Sequence, residues 1–237
     1  MSHVRYRFVD VRWSLEDPGA GRAAYLAGHV PGAAFVDLER ELAAPLGPGG
    51  RHPLPADDVF VEAMARAGVD DGTFVVAYGS LGGSERLWWL LRHHGHDACA
   101  VIDLDAWHGP LERGEPAGER ARFVSCPRTG DAIGRDELAA RLGELVVVDT
   151  RSPSRWRGEP HPLDPVGGHV PGALNAFWAD PLPELPPGEV VAYCGSGVTA
   201  CVLVHRLHLA GRTALLYPGS WSEWAQDPRL PVERAAR

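Results

Sequence analysis

A cysteine followed by a glycine-rich turn, Cys194-Gly195-Ser196-Gly197-Val198-Thr199, is the part of this chain best suited to chemistry. The apolar run Val190-Val191-Ala192-Tyr193 leads into it, and Ala200-Cys201-Val202-Leu203-Val204-His205-Arg206-Leu207 follows at helical spacing. The expected local structure is a strand, a tight turn and a helix. In open parallel α/β sheets, ligands bind at the carboxyl ends of strands. Backbone N–H groups of a Gly-x-Gly turn, with the first unpaired amides of the helix, stabilise negative charge there. A cysteine in that place reads as a nucleophile. The competing reading, a small buried hydrophobe, does not account for the strand–turn–helix context.

Spacing removes two neighbouring chemistries. A cysteine-dependent phosphatase loop needs an arginine six positions after the cysteine, and that position is Ala200. A nucleotide P-loop ends in Gly-Lys-Ser/Thr, but the chain contains no lysine, all 23 basic residues being arginine. Schiff-base chemistry is excluded on the same ground.

The elements that must position this turn occur twice. Gly28-His29-Val30-Pro31-Gly32-Ala33 returns unchanged as Gly168-His169-Val170-Pro171-Gly172-Ala173. Phe8-Val9-Asp10-Val11-Arg12 is echoed by Val147-Val148-Asp149-Thr150-Arg151, and Val75-Val76-Ala77-Tyr78 by Val190-Val191-Ala192-Tyr193. Two domain-sized copies in the same order mean tandem domains and not a solenoid. A length of 237 residues accommodates both,. The expected boundaries are 1–120 and 130–237, joined within Leu111 to Gly134, a stretch rich in Gly, Pro and charge,. Asp136 is expected to cap the helix that follows. Unalternated apolar runs at Phe74–Ala77, Ala100–Ile102, Leu145–Val148 and Ala214–Tyr217 read as strands buried on both faces, and Val59–Ala67 and Arg86–His94 as helices,. The fold class is α/β: two tandem domains, each a mainly parallel central sheet flanked by helices. In the first copy Gly79 stands where the second has Cys194. The amino-terminal domain is therefore expected to be catalytically silent.

Composition narrows the class further. A net charge of −8 without arginine clustering leaves no nucleic-acid footprint,. No stretch approaches the roughly 18 apolar residues of a membrane span,. The segment Met1-Ser2-His3-Val4-Arg5-Tyr6-Arg7 has no signal-type apolar core, and four cysteines make no disulfide framework, so a cytosolic, reducing compartment is expected,. Cys99, Cys126 and Cys201 show no metal-ligand spacing, and His93, His94 and His96 read as a solvated helix terminus. No cofactor and no metal are expected.

With the duplication, the two Gly-His-Val-Pro-Gly-Ala motifs and the Cys194 turn together, the chain resembles the two-domain rhodanese family of sulfurtransferases. The likeness extends over essentially the whole length. It includes Asp10-Val11-Arg12-Trp13, Leu87-Trp88-Trp89 and Gly219-Ser220-Trp221-Ser222-Glu223-Trp224. The resemblance implies ping-pong transfer of sulfane sulfur through a persulfide on Cys194. A small-molecule donor would load the cysteine, and a thiol, a thioredoxin-like protein or cyanide would accept the sulfur. Family members with basic residues after the cysteine prefer thiosulfate, and those with Gly-Ser-Gly, as here, prefer 3-mercaptopyruvate.

The resemblance also implies roles for individual residues. Gly195, Gly197, Val198 and Thr199 would form the donor-binding loop with Ser196. Arg155 would hold the donor's carboxylate, with Arg157 as its near neighbour, while Arg151 ties strand to loop. The animal mercaptopyruvate enzymes carry a second arginine a little later. Glu159-Pro160-His161-Pro162-Leu163-Asp164 offers none, which keeps thiosulfate as an alternative donor. A relay of Ser196, His52 and an acid, Glu39 or Asp37, would move the proton that the leaving enolate needs. Non-enzymatic reading of the same fold, as a binding module or a persulfide carrier, is the other class. The intact Cys194 turn speaks against the first; the second would use the same loop.

Overall fold

The computed structural model describes residues 5–235, so the first four positions of the amino-terminal reading lie outside the described residues. The chain divides into two compact units. The first comprises the chain up to Ala44 together with Leu54–Arg128; the second comprises Pro45–Pro53 and the chain from Thr129 onward.

The first unit runs β1 (Arg5–Val11), α1 (Ala20–Ala27), β2 (Ala34–Phe35), α2 (Leu38–Glu41), α3 (Asp57–Arg66), β3 (Thr73–Gly79), α4 (Gly83–His93) and β4 (Cys99–Val101). Its four strands form a parallel sheet in the order β2-β1-β3-β4. The second unit runs α5 (Arg135–Ala140), β5 (Val146–Asp149), α6 (Pro153–Arg157), β6 (Leu174–Asn175), β7 (Val190–Tyr193), α7 (Ala200–Leu209), β8 (Ala214–Leu216) and α8 (Ser220–Trp224). Its order, β6-β5-β7-β8, is that of the first sheet, again all parallel. Parallel pairing needs helical crossovers that cover the sheet, which is why β7 is buried at all four residues and reads as one apolar run,.

Repeated sequence produces repeated contacts. In each motif the Val-Pro-Gly-Ala tetrapeptide closes a turn, Ala33 N–H donating to Val30 O at 2.9 Å and Ala173 N–H to Val170 O at 3.0 Å. Gly32 and Gly172 take φ of 71° and 75°, where a glycine carries no Cβ penalty,. The valine N–H groups of Val30 and Val170 donate to the hydroxyls of Tyr78 at 3.1 Å and Tyr193 at 3.0 Å, at the ends of the repeated Val-Val-Ala-Tyr runs. The aspartate–arginine pairs Asp10–Arg12 and Asp149–Arg151 are bidentate in both units.

Two expectations change in detail. Gly134, and not Asp136, is the N-cap of α5; Asp136 lies in the first helical turn, where it pairs with Arg135 and complements the helix dipole,. His94 and His96 are buried and His93 is packed, so the cluster is not a solvated terminus. His94 stacks on Phe60 and bonds Ser125 Oγ through Nδ1 at 2.7 Å, and His93 stacks on Trp89. The stretch 107–128 carries no helix or strand. It wraps the first unit through backbone bonds such as Ala121 N–H to Ala65 O and Cys126 N–H to His94 O.

Candidate active site

The site is built wholly within the second unit, at the carboxyl end of β7. Cys194 follows the strand directly and is 2% exposed. Its Sγ accepts from the backbone N–H groups of Gly197 at 3.1 Å and Ser196 at 3.4 Å. Two donors aimed at the sulfur offset negative charge on it. Gly197 is required twice over: its φ is +81°, and a Cβ there would lie 2.2 Å from Pro218 O,.

The start of α8 holds the loop from behind. Ser220 Oγ accepts from Cys194 N–H at 3.1 Å and donates to Tyr217 O at 2.9 Å. Trp221 N–H and Ser222 N–H donate to the carbonyls of Cys194 and Gly195 at 3.0 and 2.9 Å. Ser220 itself sits at φ +53°, a non-glycine residue in the left-handed region, fully buried,. Its side chain satisfies two loop groups, which offsets that strain.

His52 reaches the site because Pro45–Pro53 leaves the first unit's sequence neighbourhood and packs with the second. Gly47 and Gly50 form a two-bond turn, and Gly50, at φ +99°, lies so close to Gly219 O and Ser222 Oγ that a Cβ would be 2.7 Å from both. Arg51 N–H then donates to Ser222 Oγ at 2.9 Å. This places buried His52 with Nδ1 2.7 Å from Ser196 Oγ. A serine–imidazole pair beside a nucleophilic sulfur can pass a proton.

Two guanidinium groups meet at Gly195. A Cβ on Gly195 would stand 3.0 Å from Nη2 of Arg155 and 3.0 Å from Nη2 of Arg51. Arg155 is held by Asp164, its Nε and Nη2 donating to the two carboxylate oxygens at 2.7 and 2.6 Å, while its Nη1/Nη2 edge faces Gly195. Asp164 is shared with Arg151, which is locked by Asp149 and stacks over Trp221. Burial alone would raise the Asp164 carboxyl, but the Arg155 hydrogen bonds and the charges of Arg155 and Arg151 hold it below the usual carboxylate range,. Burial, then the Arg155 charge, lowers His161 on the same loop.

Cys194, Ser196, His52, Arg155, Gly195 and Gly197 thus come together. Val198 is buried packing, and Thr199 is the N-cap of α7 with no side-chain capping bond, the amides of Cys201 and Val202 donating to Val198 O and Thr199 O. Arg157 pairs with Glu159 and faces solvent. Glu39 lies in α2 of the first unit; Asp37, the alternative acid, is occupied as that helix's N-cap, accepting from Glu39 N–H and Arg40 N–H. Sequence reasoning missed Arg51, Asp164, Ser220 and Ser222 as parts of the site. The signal available for Arg51 was its place between the glycine turn Gly47-Pro48-Gly49-Gly50 and His52. At the equivalent place in the first unit, a Cβ on Gly79 would lie 2.7 Å from Val11 O. Among the described residues no group of His, Cys, Asp or Glu could hold a metal ion, and no helix is long and apolar enough to cross a membrane.

The model of the Rhodanese-like domain family matches residues 1–108 and 134–227. The chain is 40% identical over 257 residues to a probable 3-mercaptopyruvate sulfurtransferase of Pseudomonas aeruginosa, covering 94% of this chain and 90% of the relative. It is 37% identical over 256 residues to a putative thiosulfate sulfurtransferase SseB of Mycobacterium tuberculosis, covering 95% and 90%. The solved 3-mercaptopyruvate sulfurtransferase from Leishmania major superposes with a TM-score of 0.82 at 28% identity, covering 96% of this chain and 72% of that one.

Proposed function

The chain belongs to the rhodanese family of sulfurtransferases, and from that premise we propose that it moves sulfane sulfur from 3-mercaptopyruvate through a persulfide on Cys194. The observation that carries the reading is the Cys194 Sγ with two loop amides on it and the Ser196–His52 pair beside it. The Cys194 thiolate attacks the donor sulfur, the new S–S bond forms and the donor C–S bond breaks. Its electron pair leaves on carbon as the enolate of pyruvate. The donor's thiol proton ends on that carbon, carried by Ser196 and His52. An acceptor thiolate, from a small thiol or a thioredoxin-like protein, or cyanide, then attacks the outer sulfur and restores the Cys194 thiolate. The first unit, with no room for a side chain at Gly79, is catalytically silent. The described cysteines are all free thiols, and a cytosolic location keeps them so,.

Thiosulfate is the second donor reading, and a specific observation favours it. The loop is neutral, yet two guanidiniums are brought to it from outside, where they suit a dianion as well as a carboxylate. Loop neutrality alone does not decide the donor. Side-by-side kinetics with both donors, scored by intact mass for one added sulfur, tests the proposal. Mercaptopyruvate is expected to give the higher kcat/KM; a higher value for thiosulfate exchanges the two readings, and no added sulfur with either donor removes both.

Arg155 supplies a sharper check. Its Asp164 fork leaves one guanidinium edge for the donor. Arg155→Lys keeps charge but loses both planar contacts, so KM for mercaptopyruvate should rise about tenfold, the equivalent of one charge-assisted hydrogen bond. Arg155→Ala should be worse again. An unchanged KM in both variants would remove Arg155 from the donor site.

A further inference from the structure

We infer that the first unit holds a site for a small tetrahedral oxyanion, phosphate or sulfate, centred on the guanidinium of Arg7. The site is separate from the sulfur-transfer chemistry and does not rest on that reading.

A cavity of about 170 Å³ is lined by β1, β2, the end of α3 and the wrapping segment of this unit. A cavity of roughly 150 Å³ already admits a benzene molecule, so a tetrahedral oxyanion fits. Buried Tyr25 and Phe35 contribute apolar wall, and Arg7, Arg66 and Arg120 contribute charge. Carboxylates take two of these cations: Arg66 pairs with Glu41 at 2.5 Å, and Arg120 meets both oxygens of Glu62 at 2.6 and 2.7 Å. Glu115, the carboxylate in the lining, is taken by Arg22 at 2.7 Å.

Arg7 is left over. Its Nε donates to Ala67 O at 2.5 Å and its Nη1 to Gly32 O at 2.9 Å. Among the described residues no carboxylate pairs with it, and its Nη2 makes no hydrogen bond. That nitrogen lies 3.3 Å from where a Cβ on Gly118 would stand, in the cavity wall. A half-buried cation without a counter-ion is costly; burial first, and then the charge of Arg5, works against the Arg7 cation. An oxyanion accepting from Nη2 offsets that cost, and the exposed guanidiniums of Arg66 and Arg120 add to its field,. The duplication supplies an internal comparison. Tyr25 Oη donates to Ala33 O and Trp156 Nε1 to Ala173 O, so the two walls correspond. Yet the residue matching Arg7 in the second unit is Val146. The repeated fold does not need a cation there.

The test reads hydrogen exchange by mass across residues 115–121, a peptide of the first unit. Sulfate and phosphate are titrated to 5 mM at an ionic strength held constant with sodium chloride, where the general stabilising action of sulfate is small. Half-saturation is expected at about 1 mM or below, within the ceiling for so small a ligand. Exchange at 5 mM should then slow about sixfold, with no such change in chloride alone. Arg7→Val, which installs the residue of the second unit, should abolish the protection. Arg66→Gln leaves both carbonyl bonds of Arg7 in place and should raise the half-saturating concentration about tenfold, the loss of one charge-assisted hydrogen bond. It keeps the test open if Arg7→Val does not fold. Protection by only one of the two anions identifies which of them the site takes. Equal exchange in oxyanion and in chloride, or protection that survives unchanged in the variants, overturns the inference and leaves Arg7 as a tie between Ala67 and Gly32.

Discussion

Cys194→Ser is expected to abolish sulfur transfer, with a loss on the order of 10⁴-fold or more, as for removal of a covalent nucleophile elsewhere. The hydroxyl keeps the position beneath Gly197 N–H and Ser196 N–H, but it ionises far less readily than a thiol and cannot carry a sulfane sulfur in a reactive disulfide-type bond. No other thiol in the chain can take over. Cys201, on the same loop–helix junction, is fully buried with its S–H directed to Gly197 O at 3.3 Å. Burial pushes the Cys99 thiol up to about 12, which keeps it protonated at neutral pH,. Cys126 is exposed but lies on the wrapping segment of the first unit, its backbone N–H donating to His94 O at 2.9 Å. Intact-mass analysis after donor exposure should show one added sulfur in the unaltered protein and none in the serine variant. A labelled Cys99, Cys126 or Cys201, or residual transfer by Cys194→Ser, would assign the chemistry elsewhere.

What the sequence disclosed here follows from where information is local. The strands were legible because parallel sheets covered by helices demand uninterrupted apolar runs, and Val190–Tyr193 is one,. The candidate nucleophile was legible because strand, Gly-x-Gly turn and helix are contiguous, so the amides that bond Cys194 Sγ belong to the next three residues. The repeated Gly-His-Val-Pro-Gly-Ala motif was recognisable as a repeat, and its reason is now visible: the valine N–H is paired with the last tyrosine of the repeated strand.

The remainder depends on contacts between segments far apart in the chain. Nothing local in Gly47-Pro48-Gly49-Gly50-Arg51-His52 says that it packs on α8, some 170 residues later. That fit rests on Gly50 having no side chain where Gly219 O and Ser222 Oγ approach. Ser220 at φ +53° carries no sequence signal, since glycine is the residue such a conformation announces,. His94 read as solvated because charged neighbours surround it, yet Phe60 and Ser125, from other segments, supply its stacking and its hydrogen bond. The cationic surroundings of the Cys194 loop were likewise hidden: Gly195-Ser196-Gly197 is neutral, and both guanidiniums come from elsewhere in the chain.

The distance between His52 Nδ1 and Ser196 Oγ, 2.7 Å, makes the second large effect donor-dependent. With mercaptopyruvate the leaving group is a carbanion equivalent that needs a proton on carbon, and the donor's own thiol proton must travel there. With thiosulfate the leaving group is sulfite, which departs as a dianion at neutral pH and needs none. On the proposed reading both donors meet the same Cys194 sulfur and loop amides, and the need for a proton on the leaving group is the difference that His52 can act on. His52→Ala is therefore expected to slow persulfide formation from mercaptopyruvate by about 10²- to 10⁴-fold, the range of a positioned general acid–base group. Formation from thiosulfate should fall by less than roughly tenfold, within what loss of one buried hydrogen bond costs. Ser196→Ala should show the same division in smaller measure, since water can bridge from the imidazole once the hydroxyl is gone. Single-turnover rates with each donor, followed by mass, separate this step from acceptor chemistry. Equal losses with both donors would make His52 a packing residue that shapes the Cys194 loop, and the proton would then have to reach the enolate from solvent.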